Sequence, residues 1–564
     1  MKKIKFLLFV LLALLYVSNA NALIKNDTFT RDGNTYMVTK MDEAHDGIPK
    51  TYNVAFVSST NTTVNIPATV ADPNNQYTFN VTAIANNSTV PNATSVTMPN
   101  TIVSIEANAF KGGHITSITI PKSVTEIKSG AFGQMSYLTA INVDAANPNF
   151  RSDNGVLIEK KDSKEWVAAY PLARPDAEYT VPEGVYGVYT NAFQRASYLT
   201  KITLPASLKE SPSTAEFNGY TSAQNLREIA VAAGNTAFKS VDGVLLSADG
   251  KKLIAYPNGK AGSPSTNPAY QGVTGQPNAS VYKIPDGVES IEQAAFAQVN
   301  GLTAIELNGV KKLAKGAFDK AVKLRNVLLG PSVDTIEDGA FGGNNDLAAF
   351  DVDPANPNYA ADNGVIYTKN KEELVLFPAG KAGEYTTLPT TKKIRNRAFY
   401  YAQKVTKVTF NSNLEIIDND AFQATTKLAN ITFEAPAKIK TIGTFAFQGS
   451  GLTELNIPAS LEVVSWSAFG STKLKKVTVA DGSQLQSINK EAFKGCKDLE
   501  EFTFEGSSTL NEIQADAFSG DDKLKSFVIP EKVTVLERGA FNGASGLEAS
   551  SVYCGHTCWD DNLR

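Results

Sequence analysis

Three histidines, His45, His114 and His556, supply all the imidazole in 564 residues, and none stands near a Ser or Cys in a pattern that activates a nucleophile. No glycine-rich phosphate loop opens a helix and no H-E-x-x-H pair occurs. The 57 acidic residues offer carboxylates in quantity, but exposed Asp and Glu are ordinarily solvated surface, and an acid–base pair is defined by geometry. The densest cluster is Cys554-Gly-His-Thr-Cys558. Two thiols and an imidazole could hold zinc, yet a structural zinc needs four ligands and no fourth is near. A local disulfide or two free thiols is the expectation there. Cys496 follows Phe493 by three residues, where comparable stretches carry Gly113, Ala196 or Ala544, so it is expected to be a small packing residue. These residues describe a protein that is not an enzyme and requires no cofactor or metal. What remains is binding chemistry, in two rows of a recurring strand pattern. One row carries Lys407, Asn430, Glu454, Lys476 and Glu501, and the other, two positions on, carries Thr409, Thr432, Asn456, Thr478 and Thr503. Hydroxyl, amide and charged groups repeated on one strand face could recognise an extended protein surface or a glycan. The competing account is that Thr suits strands and solvated sheet faces.

Those rows are positioned by a repeat. In Gly451 to Phe469, GLTELNIPASLEVVSWSAF, the apolar residues are Leu452, Leu455, Ile457, Leu461, Val464 and the pair Ala468-Phe469. The pair returns, ending at Phe110, Phe132, Phe193, Phe296, Phe318, Phe341, Phe399, Phe422, Phe447, Phe469, Phe493, Phe518 and Phe541. Uninterrupted steps run about 22 to 25 residues, the period of a solenoid whose units bury their apolar faces on one another. Ile118 and Ile120 alternate with polar Ser117 and Thr119, which reads as a short strand. Phe422, Phe447, Phe469, Phe493 and Phe518 should then form one buried stack.

Three segments interrupt the period: Asn147 to Pro171, Asn235 to Pro257 and Asn356 to Pro378. Each holds an aromatic residue, Asn-Gly-Val or Asp-Gly-Val, an apolar run, a charged turn and a second run ending in aromatic-Pro, which is the grammar of a β-hairpin. Hairpins projecting from the edge of the solenoid are expected, with the Gly- and Pro-rich stretch from Gly259 to Asn278 as a loop too poor in apolar residues to pack. Residues 23–85 read as an N-terminal β cap with a degenerate first repeat, 86–548 as the repeat body and 549–564 as a short tail.

The first 22 residues place Lys2, Lys3 and Lys5 before an apolar run from Phe6 to Val17 and end in Ala20-Asn21-Ala22, the layout of a secretory signal. The expected mature chain is exported, to the surface, the medium or the periplasm, with no transmembrane anchor and no Cys at the cleavage point to carry a lipid. A net charge of -4 supplies no electrostatic footprint for nucleic acid. Three cysteines in an exported chain of this size imply a fold held by packing rather than by disulfides.

The motif I-P-x-[ST]-[VL]-x-x-I-x-x-x-A-F, seen as IPKSVTEIKSGAF from Ile120 to Phe132 and, with Glu531-Lys532 varied, as IPEKVTVLERGAF from Ile529 to Phe541, resembles the BspA-like type of bacterial leucine-rich repeat. The resemblance implies an α/β repeat, strand-dominated: a curved leucine-rich repeat solenoid with a parallel sheet on its concave side, in a secreted or surface protein. It further implies an adhesin that binds host extracellular matrix proteins such as fibronectin or fibrinogen, or other cells. The alternative is a glycan- or peptide-binding envelope component for nutrient capture. The family defines no catalytic residue.

Overall fold

The computed structural model describes residues 23–42, 51–189, 192–193, 195–210, 223–264, 280–547 and 552–553. The leader, His45, His556, Cys554, Cys558 and nearly all of the tail expected at 549–564 lie outside them. The chain divides into two compact units, one of residues up to 213 with 231–237, the other of 214–230 with 238–564.

In the second unit, Glu454–Phe469 shows how one rung is made. A long strand, Glu454–Ile457, alternates exposed and buried side chains, because successive residues of a strand point to opposite faces. Pro458 turns the chain, Leu461 points inward, and a short strand, Val463–Val464, follows. Ser467 then adopts a left-handed φ of 49°, which reverses the backbone so that Ala468 and Phe469 are both buried. A residue two before each closing Phe is left-handed throughout the described rungs of this unit, from Ala294 to Gly539, and this conformation is incompatible with a helix. No helix occurs among the described residues; turns carry the chain from the short strand to the next rung.

Rungs join through three ladders. Long strands pair in parallel, with Glu454 opposite Lys476 and Leu455 opposite Val477. Short strands pair in parallel in a second sheet, Val463 opposite Ser487, running from Lys393–Ile394 to Val535–Leu536, and three strands of the third insertion bring that sheet to ten. The third ladder runs from each Phe N–H to the Ala carbonyl one rung on, as from Phe469 to Ala492 at 2.8 Å. The rung spacing of about 4.8 Å is imposed on the rings. Phe422–Phe447 lie 4.8 Å apart, Phe447–Phe469 and Phe469–Phe493 5.3 Å, and Phe493–Phe518 5.4 Å, all within 8° of parallel. The expected stack of five buried rings is therefore present, and Phe399 and Phe541 extend it.

The stack stops at the third insertion. Phe341 is parallel to Phe318 on one side but meets Phe350 edge-on at 76° on the other, and stacking resumes at Phe377–Phe399. Between them, strands Tyr359–Asp362, Val365–Thr368 and Glu373–Leu376 form an antiparallel meander, and the last of these joins the short-strand sheet. Its side chains divide by alternation: Tyr359, Ile366 and Val375 belong to the preceding core, and Val365, Tyr367 and Leu374 to the following one. The segment is a wall across the interior, buried on both faces, and not a hairpin projecting from the edge. The reason is visible in Val365-Ile366-Tyr367: consecutive apolar residues, unlike alternating ones, mark a strand covered on both sides. The first insertion is built alike, from Phe150–Asp153, Val156–Lys161 and Lys164–Ala169. Phe150 and Leu157 join the preceding core, while Val156, Ile158 and Val167 are also fully buried. Tight turns with both residues left-handed open both walls, at Asn154-Gly155 and Asn363-Gly364, and the second insertion has the same turn at Asp242-Gly243, as two-residue hairpin turns of this type demand.

A buried Asn anchors the start of a wall to the turn before it. Asn356 Nδ2 donates to the Gly330 and Val333 carbonyls at 2.8 and 3.0 Å, and its Oδ1 accepts from the Asn358 and Tyr359 N–H groups. Asn147 repeats all four bonds in the first wall.

In the first unit, strands Thr28–Arg31, Asn34–Asp42 and Thr51–Ser59 form an antiparallel cap, onto which Thr78–Thr89 pairs in parallel to start the short-strand sheet. Thr63–Asn65 pairs with Ser95–Thr97 as the first long-strand ladder. In the second unit the start of the stretch expected as an unpacked loop is held down, since Ser263–Pro264 pairs antiparallel with Ser280–Lys283.

Candidate functional site

The ten residues singled out by the repeat stand on the outward face of the long strands of the second unit. Asn430, Thr432, Glu454, Asn456, Lys476, Glu501 and Thr503 are exposed, and Lys407, Thr409 and Thr478 are half-buried. Their register is direct: Lys407 faces Asn430 and Thr409 faces Thr432, while Glu454, Lys476 and Glu501 stand in line, as do Asn456, Thr478 and Thr503. These two groups are not one surface ladder. Eight positions separate Ile431 from Ile439 where six separate Leu455 from Leu461, and at this longer turn the long-strand sheet ends at Asn430–Phe433 and a new one begins at Glu454–Ile457. Thr453 N–H to the Ala429 carbonyl, at 3.1 Å, bridges the break.

Charges on this face are largely matched across rungs. Lys407 lies 3.3 Å from Glu384, and Lys476 3.3 Å from Glu501. Along the rim just before the strands, Lys523 pairs with Asp498 at 2.6 Å and Lys525 with Glu500 at 2.5 Å. Hydrogen bonds from these lysines hold both carboxyls below their ordinary range. Exposed pairs of this kind add little to stability, but they fix a pattern of alternating sign.

One residue of the face was missed. Val528 occupies the outward row held by Thr503 in the rung before, as the pairing of Phe502 with Phe527 requires, and it is 60% exposed. With half-buried Phe504 it lines a groove of about 500 Å³ beside Thr503 and Lys532. An apolar residue in a row of Thr and Asn was the available signal. The first of the two rows stops short of the earlier rungs of this unit, where the corresponding residues Ala304 and Asn326 are buried.

The remaining chemistry lies in the core. Cys496 is fully buried, its thiol contacts Thr472 and the Phe469 carbonyl, and burial pushes its pKa up, so it packs as expected. Asp521 is buried beside it, accepts the Cys496 N–H at 2.8 Å through one oxygen and leaves the other without a hydrogen-bond partner; burial pushes its pKa up to about 8. Neither group reaches the surface. His114 is exposed and lies against Tyr137, with ring centroids 4.6 Å apart. Among the described residues no cluster of His, Cys, Asp and Glu could hold a metal ion.

The parallel ladders, the Ala-Phe period and the outward rows coincide with a match to the BspA type leucine rich repeat region, in six copies over residues 52–153, 177–241, 275–370, 381–483 and 432–548. The chain belongs to the BspA-type leucine-rich repeat family. Such repeats are interaction modules, and no catalytic arrangement accompanies them here among the described residues. No curated protein shows a significant match to this BspA-type chain. Solved structures similar to it include a leucine-rich repeat protein from Eubacterium ventriosum, 21% identical, covering 72% of this chain and 94% of that one with a TM-score of 0.44. A leucine rich cell surface protein from Faecalibacterium prausnitzii is 17% identical over 87% of this chain and 97% of its own, with a TM-score of 0.37. The pneumococcal vaccine antigen PcpA is 17% identical over 94% and 98% of the two chains, with a TM-score of 0.33. Among the described residues no helix is long and apolar enough to cross a membrane.

Proposed function

We propose that this BspA-type chain is an exported, non-enzymatic adhesin, which grips an extended protein ligand, of the kind found in host extracellular matrix or on other cells, with the outward rows of its long strands. In this reading residues 1–22 are the export signal, 23–85 the cap and degenerate first repeat, 86–548 the repeat body and 549–564 a tail. The observation that carries it is the register. Exposed Lys, Asn, Glu and Thr side chains repeat at the rung spacing on a backbone fixed by three ladders, so a ligand meets a preorganised array and little side-chain order has to be created on binding.

The test is binding of the mature chain to immobilised fibronectin, fibrinogen and polysaccharides in parallel. Saturable binding to a protein, lost when Lys407, Asn430, Thr432, Asn456 and Lys476 are changed together to Ala with thermal stability retained, is the expected result. Exposed substitutions of this kind shift stability by no more than about 0.5 kcal/mol each, whereas loss of an interface hot spot costs roughly 2 kcal/mol or more. Binding that survives in the five-residue variant would remove this face from consideration. Protease shaving of intact source cells checks location; protection of the protein from shaving would refute a role in adhesion.

A further inference from the structure

The first unit holds a second surface that the repeat does not need for its own packing. Its short-strand sheet ends at Glu126–Ile127, and the first wall begins a separate sheet. Between them opens a groove of about 440 Å³, within the usual size range of small-ligand sites, roughly 300–1,000 Å³. The turn from Glu126 to Gly133 forms one bank, and Glu159, Lys161, Ala168 and Ala169 of the wall form the other. Tyr189 also lines the groove.

Tyr189 belongs to an aromatic ledge. Its ring stacks on Trp166 at 5.0 Å and 6° from parallel, and Trp166 meets Tyr186 edge-on at 5.5 Å. All three rings are half-buried. The ledge depends on Gly187, where a Cβ would lie 2.4 Å from the indole; any other residue there would displace the Trp. In the third wall Lys393 stands where Gly187 does and Glu373 where Trp166 does, so a ring is not required at this place to complete a core.

The third wall makes the contrast. Tyr189 follows its short strand and donates its N–H to the Val167 carbonyl, as Arg395 follows its own and donates to Leu374. Arg395, however, pairs with Glu373 at 2.6 Å, and the hydroxyl of Tyr359 bonds the Asp334 carbonyl at 3.0 Å. There the chain occupies its own gap with polar side chains. In the first wall Phe150 stands where Tyr359 does and Tyr189 stands where Arg395 does.

We propose that this groove is a binding site for a neutral oligosaccharide. Two carboxylates, Glu126 and Glu159, are balanced by two ammonium groups, Lys128 and Lys161, and Glu126 is paired with Lys128. The balance disfavours a charged ligand, while each of these groups can bond sugar hydroxyls. Glu159 is already oriented by the Tyr189 hydroxyl. Tyr189, which lines the groove and is backed on one face by Trp166, supplies on its other face the apolar plane on which the C–H face of a pyranose ring rests, amphipathic rings being the side chains best suited to a surface that is half apolar and half wet. The site shares no residue with the outward rows of the long strands.

The test is affinity electrophoresis of the full-length protein in native gels containing starch, mannan or galactomannan, with alginate and gelatin as the anionic and extended-peptide arms. Retardation by at least one neutral polysaccharide is expected. Tyr189→Ala should weaken it about tenfold or more, the effect of truncating an anchoring ring. Because Tyr189→Ala could disturb the ledge itself, the companion variant is Ser129→Trp, at an exposed position on the opposite bank, which should fill the groove, abolish retardation and leave thermal unfolding unchanged. Tyr198→Ala, an exposed ring elsewhere in this unit, should have no effect. The proposal is overturned if no neutral polysaccharide retards the protein, if retardation survives in Ser129→Trp, or if only alginate or gelatin is bound through the groove. Loss of protein adhesion in the long-strand variant would leave this result untouched, so the two readings fail separately.

Discussion

Replacing Phe469 by Ala probes the stack where it is most regular. The ring is fully buried between Phe447 and Phe493, each 5.3 Å away and within 8° of parallel. Truncating a buried Phe costs about 3–5 kcal/mol through lost transfer free energy and the cavity left behind, and each lost aromatic pair contributes about 0.5–1.5 kcal/mol within that range. The neighbours cannot close the gap, because the ladder bonds of Phe447 to Ala468 and Phe469 to Ala492, at 2.7 and 2.8 Å, hold the rungs at a fixed spacing. The expected cost is therefore at the upper end, about 4–5 kcal/mol. Phe541→Ala removes a ring with one stacked neighbour, at 7% exposure, and should cost about half as much, since the site can relax toward solvent. Urea unfolding gives the global change. Hydrogen exchange at the Phe447 and Phe493 amides, which donate to Ala468 and Ala517, reports whether the loss is local. Equal costs at Phe469 and Phe541, or a cost below about 1 kcal/mol at Phe469, would refute a continuous stack as the source of stability.

Ala294 sits at a left-handed φ of 58°, so Ala294→Gly should raise the melting temperature, by relief of about 1–2 kcal/mol of strain against roughly 0.5–1 kcal/mol of added chain entropy; Ala317→Gly, at an ordinary φ, should lower it. Asn356→Ala should destabilise by about 3 kcal/mol or more in chemical denaturation, since it leaves the carbonyls of Gly330 and Val333 and two N–H groups of the third wall without their buried partner. Asp521, with its pKa raised from 3.8 to about 8 in the folded state, should contribute stability that is full below its ordinary value and falls as pH rises toward about 8. Asp521→Asn should flatten that slope in melting temperature against pH, and an unchanged slope would show that the buried carboxyl does not titrate with folding.

The Ala-Phe pairs made the stack legible because large residues at fixed offsets can be satisfied in only one way by stacking. The second parallel sheet was not legible, since each of its strands is two residues long, too short for a period to show. Left-handed positions were hidden by their occupants: Gly130 and Gly539 advertise the turn, but Arg397, Phe445, Ser467 and Glu491 hold the same conformation, imposed on them by the ladders on either side. The walls were recognised as hairpins from their turns and misplaced in space, because the charged turns drew the reading outward while Val156-Leu157-Ile158 and Val365-Ile366-Tyr367 already pointed to two buried faces. The residues of the two rows do stand on the outward side of the long strands, as strand alternation requires. Their interruption between Phe433 and Glu454 lay in two extra residues of a turn, a change that composition does not register.

That interruption bears on how the long-strand face can work. Within a block, each outward side chain is fixed by inward neighbours that belong to the core, as Lys476 is by Val477 and Val479, so a substitution outward changes what a ligand meets without moving the rung. The core and the exposed chemistry are thereby written in alternate positions of the same strand. Across the break the long-strand pairing gives way to the single bond from Thr453 to Ala429, while the short-strand and Phe ladders continue past it. In the proposed function, a ligand following the rows keeps strand register with Lys407 and Asn430, or with Glu454, Lys476 and Glu501, and meets the break in strand pairing between the two blocks. If the rows bind as proposed, the two blocks act as two adjacent arrays, and substitutions in one should add to substitutions in the other where they share no partner. A ligand that spans both gains from being held twice, which is how a surface whose individual exposed contacts are each weak can retain a partner.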